Sequence, residues 1–268
     1  MPKERYLVGD LLSIMELLRS ACPWDREQTH KSIRKNLIEE AYETAEAIDN
    51  DDHELLKEEL GDLLLQVVFH AQIEKERGEF DFSDVCDVVC KKLVHRHPHI
   101  FAGVKAESSE QVLRNWEEIK KEEKGRRTVA QSLDSVPAVL PALMRSQKVQ
   151  QRVAKTGFDY PDAAGAMADL ASEVEEVKAA LAEENVSALE EELGDLLFSV
   201  VNLARLVGVE AEESLTKSCG KFIERFKRVE ALASQKSINM QTANMQILDS
   251  LWKEAKKQSK KLVEVKRT

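Results

Sequence analysis

A seven-residue segment occurs twice in the chain without change, and it constrains the fold more than any other feature. Residues 58–64 and 191–197 both read EELGDLL and lie 133 positions apart. Each copy carries a glutamate and an aspartate three residues apart. Residues at this spacing share one face of a helix. The chain is therefore predicted to be a tandem repeat of one acidic helical unit.

The composition favours an all-α fold. Of the 268 residues, 33% are charged and 43% are hydrophobic, whereas only 10 are glycine and 6 are proline. This balance suits amphipathic helices better than sheets or disorder. A repeat in a chain of this length predicts two domains. We expect a helical-bundle domain over residues 1–125, a linker at 126–135 and a second helical-bundle domain over 136–268.

The spacing of apolar residues predicts an antiparallel helical hairpin in each unit. In the first unit, one helix is predicted over 31–48 and the next through residues 59–69. Capping-box spacing places the start of the second hairpin helix at Asp51, and at Ser187 in the other unit. The stretch 63–69 is apolar nearly all round, which predicts burial on most sides. Further helices are expected over 11–18, 83–95, 116–124 and 143–153, and a loop is expected from Pro23.

The charge and the motifs present exclude several classes of function. A net charge of −10 argues against binding of long DNA or RNA, which needs a basic surface, but permits small phosphorylated ligands held through a divalent cation. No apolar run is long enough to span a membrane and no secretory pattern is present, so we expect a cytoplasmic protein. The four cysteines form no Cys-x-x-Cys pair, which predicts buried free thiols, as for Cys86 and Cys90.

Chemically distinctive residues keep their spacing in both halves, although the loops between them differ in length. Glu40, Glu43, Glu59 and Asp62 recur 133 positions later as Glu173, Glu176, Glu192 and Asp195. Lys92 and Arg96 recur 129 positions later as Lys221 and Arg225. Trp116 and Lys120 recur 136 positions later as Trp252 and Lys256. Trp24–Asp25 corresponds to Phe158–Asp159, 134 positions later.

The paired acids predict a metal site in each unit. An antiparallel hairpin brings the acidic faces of its two helices together, so that four carboxylates converge. Such a set of hard oxygen ligands suits Mg²⁺ or Mn²⁺ and leaves positions for water and phosphate oxygens. Without a metal, at least one acid should have a raised pKa. The alternative is a solvated helix surface, the usual role of charged runs.

A glycine between the acids of each copy, Gly61 and Gly194, favours the functional interpretation. Glycine within a helix costs about 1 kcal/mol relative to alanine. Close approach of another backbone or of a ligand would explain why it stands there twice.

The repeated basic and aromatic residues predict contacts to a phosphorylated ligand. Lys92 with Arg96, and Lys221 with Arg225, lie one helical turn apart and can hold phosphate oxygens. The tryptophans can stack on a base, with a lysine reaching another phosphate; these are Trp116 with Lys120 and Trp252 with Lys256. Each pair alone is equally compatible with an ordinary helix surface or core. No phosphate-binding glycine loop and no Ser/His/Asp arrangement is present.

These motifs together resemble the MazG nucleoside triphosphate pyrophosphohydrolases. The match rests on Glu39-Glu40-x-x-Glu43, Glu59-x-x-Asp62, Cys22-Pro23-Trp24-Asp25 and Arg96-His97-Pro98-His99-Ile100-Phe101, and it spans nearly the whole chain. The glutamate motif alone is shared with dimeric dUTPases and phosphoribosyl-ATP pyrophosphohydrolases. The resemblance implies Mg²⁺-dependent cleavage of (d)NTPs between the α and β phosphates, which yields a monophosphate and pyrophosphate.

The resemblance also implies roles for particular residues. The metal ligands would be Glu40, Glu43, Glu59 and Asp62 in the first half and Glu173, Glu176, Glu192 and Asp195 in the second. Lys221 and Arg225 would contact phosphates, with Trp252 near the nucleotide. Water would attack the α-phosphorus and either Glu192 or Glu176 would accept its proton; spacing does not choose between them.

The two halves are expected to differ in activity. Ser172 stands where the first half has Glu39. The resemblance to two-repeat members of the family nevertheless implies that both halves bind metal and that the C-terminal half carries most of the turnover.

Two other functions fit the same residues. A dUTPase-like or dCTPase-like enzyme would use the same acids with a more selective base pocket, and a helical interaction module would use them only for solubility. We expect a homodimer, because each unit has more apolar surface than it can cover by itself. The sequence leaves open whether the task is removal of aberrant nucleotides or adjustment of a nucleotide pool.

Overall fold

The chain is mostly helical in the residues that the structure, a computed structural model, describes: 4–104, 108–123 and 128–265. No strand occurs within these ranges, which confirms the predicted all-α class. The chain divides into two compact units, residues 1–124 and 125–268. Residues 125, 126 and 127, where the first domain and the linker were predicted to meet, lie outside the described residues. The domain limits stay a prediction.

The first unit is built around a hairpin of two long helices, α3 and α4. α1 packs on α4, and α5 contacts both α4 and α7. A short helix occupies the region after Pro23 where a loop was expected, because proline is well suited to the first turn of a helix. The helices are α1 (Val8–Ala21), α2 (Pro23–Glu27), α3 (His30–Asp49), α4 (His53–Arg77), α5 (Phe82–Arg96), α6 (Pro98–Phe101) and α7 (Ser109–Glu123).

The second unit repeats the hairpin as α10 and α11. α9 packs against α11 and α12, and α12 packs along α13. The helices are α8 (Val129–Asp134), α9 (Ala142–Ala154), α10 (Ala163–Ala182), α11 (Val186–Leu206), α12 (Ala211–Gln235) and α13 (Met245–Val265). None of the helices in the described part of the chain is long and apolar enough to cross a membrane.

Much of the segment expected to be a linker is a helix held on the second unit. α8 contacts α9, and the Arg152 guanidinium of α9 donates to the Ser132 carbonyl and, at 2.8 Å, to the Ser135 hydroxyl. The cationic side chain satisfies polar groups at the end of this short helix.

Both hairpins turn through the same backbone conformation. Asp51 and Glu184 lie 133 positions apart, and each has a φ of +54°. The next residue caps the following helix: the Asp52 carboxylate accepts from the Leu55 amide at 3.0 Å, and the Asn185 side chain accepts from the Ala188 amide at 3.2 Å. The predicted starts at Asp51 and Ser187 are therefore wrong by one and two residues, because the left-handed residue ends the turn before the cap.

Each unit has its own apolar core. Met15, Ile33, Val68, Phe69 and Ile73 form the core of the first. Val229, Leu232, Ala233, Leu251 and Ala255 form a core cluster between α12 and α13 in the second.

One expectation of burial is correct only in part, and another is wrong. Within the predicted buried stretch 63–69, Leu64 and Val67 are each 36% exposed. Cys90 is an exposed free thiol and Cys86 is only partly buried. The apolar residues of these helices outnumber those that the core of one unit can cover.

A buried arginine joins three elements of the first unit. The Arg19 guanidinium of α1 binds the Glu76 carboxylate of α4 through Nε at 2.9 Å and a second nitrogen at 2.5 Å. It also donates to the carbonyls of Asp25 and Gln28, at 2.5 and 3.0 Å, and lies 5.6 Å from the Phe69 ring centroid. The cation thus satisfies the end of α2 and holds it on the hairpin.

We expect Arg19→Met to destabilise the chain by about 2–3 kcal/mol, because the Glu76 carboxylate and several carbonyls lose their donor. Urea denaturation measures this change. Arg19 holds the pKa of Glu76 below its ordinary 4.5. The wild-type contribution is therefore present above pH 4.5 and lost as the pH falls through the lower, folded pKa, whereas the variant lacks this dependence.

Lys75→Met provides the control, since the Lys75–Glu16 ion pair at 3.1 Å is exposed and should contribute less than about 1 kcal/mol. Equal effects of the two substitutions would contradict the role of Arg19.

Candidate functional site

The first hairpin brings carboxylates from both of its helices together. Glu40 and Glu43 lie on α3 and Glu59 lies on α4, and one oxygen from each lies within 4.8 Å of the others. Asp62 lies outside this trio, but its charge raises the pKa of both Glu40 and Glu59. We call these four residues the first acid cluster. Its geometry follows from α3 and α4 packing together with their acidic faces toward each other.

The second hairpin forms a related arrangement, the second acid cluster. Glu173 of α10 and Glu192 and Asp195 of α11 each place one oxygen within 4.8 Å of the other two. Glu176 lies outside this trio, although its charge raises the pKa of both Glu173 and Glu192. Each cluster thus combines three close carboxylates with a fourth one nearby.

Burial and mutual repulsion raise the pKa of an acid from each helix in both clusters. Desolvation by burial is the largest cause for Glu40, Glu59, Glu173 and Glu192, followed by the charges of neighbouring acids. No acid of either cluster forms an ion pair with a lysine or arginine in the described part of the chain. Close carboxylates without a compensating cation are the arrangement that a bound divalent cation would relieve.

Ser172 forms a hydrogen bond with one acid of the second cluster. Its hydroxyl donates to Glu176 Oε1 at 3.1 Å, a contact that Glu39, the corresponding residue in the first unit, cannot make as a carboxylate. Glu176 lies outside the second trio, whereas Glu43, its counterpart, lies within the first.

The two helical glycines are not explained by packing against another part of the chain. A Cβ added at Gly61 or Gly194 would meet no atom within 4 Å. Close approach of another backbone, one of the two expectations, is therefore wrong for the described residues. Space for a ligand is the expectation that remains.

The predicted phosphate residues of the first unit are gathered around Trp116. The Arg96 guanidinium lies 5.4 Å and the Lys120 ammonium 4.4 Å from the centroid of its ring. Arg96 also binds the Glu123 carboxylate at the end of α7 through Nε, at 3.0 Å, and through a second nitrogen. Lys92 is close enough to help lower the pKa of Glu123, for which the hydrogen bond from Arg96 is the largest cause. Glu123 thus neutralises this cluster from within.

The second unit has the same arginine–tryptophan pair without that carboxylate. Arg225 lies 4.9 Å from the Trp252 ring centroid, and Phe222 packs on the same ring at 5.0 Å. The Arg225 Nε is buried and has no hydrogen-bond partner among the described residues. Ser259 occupies the position that corresponds to Glu123. Lys221 and Lys256 are exposed.

The structure does not bring the basic residues into contact with the acids. The charges that raise the pKa of Glu173 and Glu192 are all carboxylates, and neither Lys221 nor Arg225 forms an ion pair in the described part of the chain. Sequence reasoning also missed Glu123 and Asp169. Asp169 lies one turn before Glu173 and raises its pKa, so its i, i+4 spacing on the acidic face was the available signal.

Comparison with known proteins shows the family. The model of the MazG nucleotide pyrophosphohydrolase domain matches residues 28–101 and 163–230, which contain both acid clusters. A nucleoside triphosphate pyrophosphohydrolase of Escherichia coli K12 is 44% identical over 94% of this chain and 97% of its own length. The MazG nucleoside triphosphate pyrophosphohydrolase/pyrophosphatase of Thermotoga maritima is 43% identical over 93% of this chain and 96% of its own length. The chain therefore belongs to the MazG family.

A crystal structure of a mazG-related protein from Thermotoga maritima is also similar in sequence. It is 32% identical, covers 42% of this chain and 99% of its own length, and aligns with a TM-score of 0.38.

We expect Glu173→Gln to stabilise the protein when a chelator is present, because it removes one of several like charges. The melting temperature should rise by on the order of 2 °C. The pKa of Glu173 is raised, so the wild-type penalty exists at neutral pH and is relieved as the pH falls through the folded pKa. The variant should therefore gain less stability than the wild type on acidification.

Glu175→Gln is the matched control, because Glu175 lies on the same helix but pairs with Lys178 at 2.7 Å. A lower melting temperature for Glu173→Gln than for the wild type in chelator would show that its charge is already compensated.

Proposed function

We propose that the protein is a Mg²⁺-dependent nucleoside triphosphate pyrophosphohydrolase that cleaves (d)NTPs between the α and β phosphates. The observation that carries the proposal is the trio of carboxylates within 4.8 Å, present once in each unit and uncompensated by any lysine or arginine in the described residues. Membership of the MazG family and the names of the relatives support the same activity.

The donor set fits a hard divalent cation. Carboxylates from two packed helices supply only oxygen, which Mg²⁺ prefers and Mn²⁺ accepts. When bound, the ion would neutralise the acids, polarise the phosphates and activate water. Glu173, Glu192 and Asp195 would hold it in the second unit and Glu40, Glu43 and Glu59 in the first, with Glu176 and Asp62 as the fourth carboxylates.

The other residues of the second unit have roles in positioning the substrate and moving a proton. Glu192 or Glu176 would accept the proton of the attacking water, each being an acid within or beside the cluster. The Arg225 guanidinium has an unpartnered buried N–H that would donate to a phosphate oxygen of the departing pyrophosphate. Lys221 would add a second positive charge from the preceding turn of α12, with Trp252 and Lys256 on the facing helix α13.

We infer further that the C-terminal unit carries most of the turnover. In the first unit the Arg96 guanidinium already binds the Glu123 carboxylate, so a phosphate must displace an internal anion. In the second unit the corresponding Arg225 has no such competitor among the described residues. This difference outweighs the loss of Glu39 at the position of Ser172, because the serine leaves the second trio intact.

We expect the double substitution Glu173→Gln, Glu176→Gln to lower pyrophosphate release by on the order of 100-fold or more, since the charge that would stabilise the reacting phosphates is lost. The rate is measured with Mg²⁺ and a panel of all common (d)NTPs. Divalent metal binding to the second unit should weaken in parallel.

The matched double substitution Glu40→Gln, Glu43→Gln should leave most of the rate. A wild-type rate for the first variant together with loss in the second would assign turnover to the N-terminal unit. Absence of Mg²⁺-dependent pyrophosphate release from any (d)NTP would contradict the enzymatic proposal and favour the helical interaction module. Activity confined to dUTP or dCTP would indicate the narrow enzyme.

We propose that the protein pairs with a second copy through the exposed apolar stripe of the long hairpin helices. Leu193, Leu197 and Val200 share one face of α11, and each is at least 43% exposed. Leu60, Leu64 and Val67 occupy the corresponding face of α4, 133 positions earlier, and are also exposed. Contiguous apolar stripes of this kind are usually covered by a protein partner.

We expect Leu197→Glu to disrupt this pairing, because it places a charge at the centre of the stripe. Light scattering after size exclusion should show twice the 30.3 kDa chain mass for the wild type and a shift toward 30.3 kDa for the variant. Val139→Glu, at an exposed apolar residue outside the two helices that carry the stripes, is the control. A wild-type monomer would contradict the proposal. The cytoplasmic location and the physiological role stay predictions.

A further inference from the structure

The second unit contains a cavity of about 530 Å³ that has no part in the metal site described above. Its walls come from α9, from the loop at residues 157–160 and from the part of α11 that follows Asp195. A volume of this size is typical of pockets that bind small organic molecules.

Aromatic side chains on the wall present their surfaces to the cavity. Phe158, Tyr160 and Phe198 line it, and Phe158 is 81% exposed. A Cβ at Gly165, in the first turn of α10, would lie 3.1 Å from Tyr160 Cδ1, so the glycine lets the tyrosine ring lie close to the helix. An exposed phenylalanine beside a fixed tyrosine is suited to stacking on a planar ring.

The same wall carries a buried acceptor that lacks a donor. Gln150 is only 7% exposed, and its side-chain amide donates to the Phe198 carbonyl at 2.8 Å. Its Oε1 is buried and has no hydrogen-bond partner among the residues that the structure describes. A buried acceptor of this kind destabilises the protein unless a donor reaches it. A ligand N–H would meet that need.

Asn202 of α11 supplies a hydrogen-bond donor on another wall of the cavity. The Asn202 carbonyl oxygen accepts from the Arg205 guanidinium at 2.6 and 3.2 Å, and Arg205 is itself held by the Asp159 carboxylate at 2.5 and 2.9 Å. This ion pair orients the asparagine, whose N–H groups remain as donors. The cavity therefore combines aromatic faces with one acceptor and one donor.

Asp169 lies between the cavity and the second acid cluster and interacts with residues of both. The Tyr160 hydroxyl hydrogen-bonds to Asp169, and this hydrogen bond is the largest cause of the raised pKa of Tyr160. The buried Ser199 hydroxyl donates to Asp169 Oδ2 at 2.8 Å. The charge of Asp169 also raises the pKa of Glu173, which lies one turn further along α10. A ligand in the cavity would thus lie beside the carboxylates.

We propose that the cavity binds the nucleobase of the triphosphate whose phosphates are held at the second acid cluster. This inference rests on the proposed function. A purine or pyrimidine offers flat faces for stacking and an edge with N–H donors and acceptors. Inorganic polyphosphate offers neither, so the cavity would make the enzyme select nucleotides.

The first unit has other residues at the polar positions of this cavity. Asn202 and Arg205 correspond at 133 to Phe69 and Gln72, and Gln150 corresponds to Glu16 at 134, the separation of Trp24 and Phe158. Phe69 is buried and covered by the Arg19 guanidinium. Trp24, 59% exposed, corresponds at 134 to Phe158 and offers a matched control.

The test compares Phe158→Ala, Gln150→Leu and Trp24→Ala with the wild type. Calorimetric titration with Mg²⁺ gives the affinity for α,β-methylene ATP, α,β-methylene CTP and inorganic tripolyphosphate, and pyrophosphate release from ATP and CTP gives kcat and KM. Phe158→Ala should weaken binding of the nucleotide analogues by roughly fivefold or more. It should change the tripolyphosphate affinity by less than about twofold. Gln150→Leu should act in the same direction, and Trp24→Ala should have no effect.

Unchanged nucleotide affinity in both Phe158→Ala and Gln150→Leu would overturn the inference, as would an equal loss for tripolyphosphate, which indicates a structural effect. If the wild type releases pyrophosphate while these variants behave like it, the inference fails and the proposed function stands. If the wild type binds the analogues but releases no pyrophosphate from any (d)NTP, the proposed function fails, and the variants still decide whether the base lies in the cavity.

Discussion

The convergence of like charges across a packed helical hairpin is the interaction on which the rest of the site depends. The hairpin is stable because apolar residues of α3 and α4, such as Ile33 and Val68, are buried in the core of the unit. The same packing carries Glu40, Glu43 and Glu59 within 4.8 Å of one another. Hydrophobic burial thus offsets the mutual repulsion of these carboxylates. In the second unit, α10 and α11 form a hairpin of the same kind and bring Glu173, Glu192 and Asp195 together.

Much of the fold followed from the sequence because its signals are local. The repeat, the helical periodicity and the absence of sheet-like patterns predicted an all-α chain with paired hairpins, and α3 and α9 lie within one residue of their expected limits. The exact cap positions did not follow, since Asp51 takes a left-handed conformation that a capping-box pattern does not encode. The exposure of Leu64 and Val67 also depends on surfaces that one helix cannot reveal.

The site was predictable only in part, for a related reason. Spacing placed the acids on facing sides of two helices, but it did not show which three approach most closely, and these differ between the two units. The engagement of Arg96 by Glu123 joins residues 27 positions apart on different helices, and no repeat pattern marks it. The cavity beside Tyr160 is likewise formed by three separate segments.

The two halves of the duplicated chain differ in several side chains but keep the same helical hairpin. Both have three close carboxylates, although not at the same three positions, and both keep the arginine–tryptophan pair. The first adds an internal carboxylate at Glu123 and fills one position with Phe69, whereas the second leaves an N–H of Arg225 and a carbonyl of Gln150 unpartnered among the described residues. Unpartnered buried groups are costly to stability, so those of Arg225 and Gln150 are consistent with ligand binding in the second unit, although the first unit also has one at His70 Nε2.

The left-handed residue in each hairpin turn has a consequence for how the protein can change. Asp51 and Glu184 set the rotation of α4 and α11 relative to the preceding helices, and one residue inserted there would turn the later helix by about 100° about its axis. The two acidic faces would then point apart even though every carboxylate was still present. An insertion or deletion in either turn would therefore separate the acids of that unit without changing any of them.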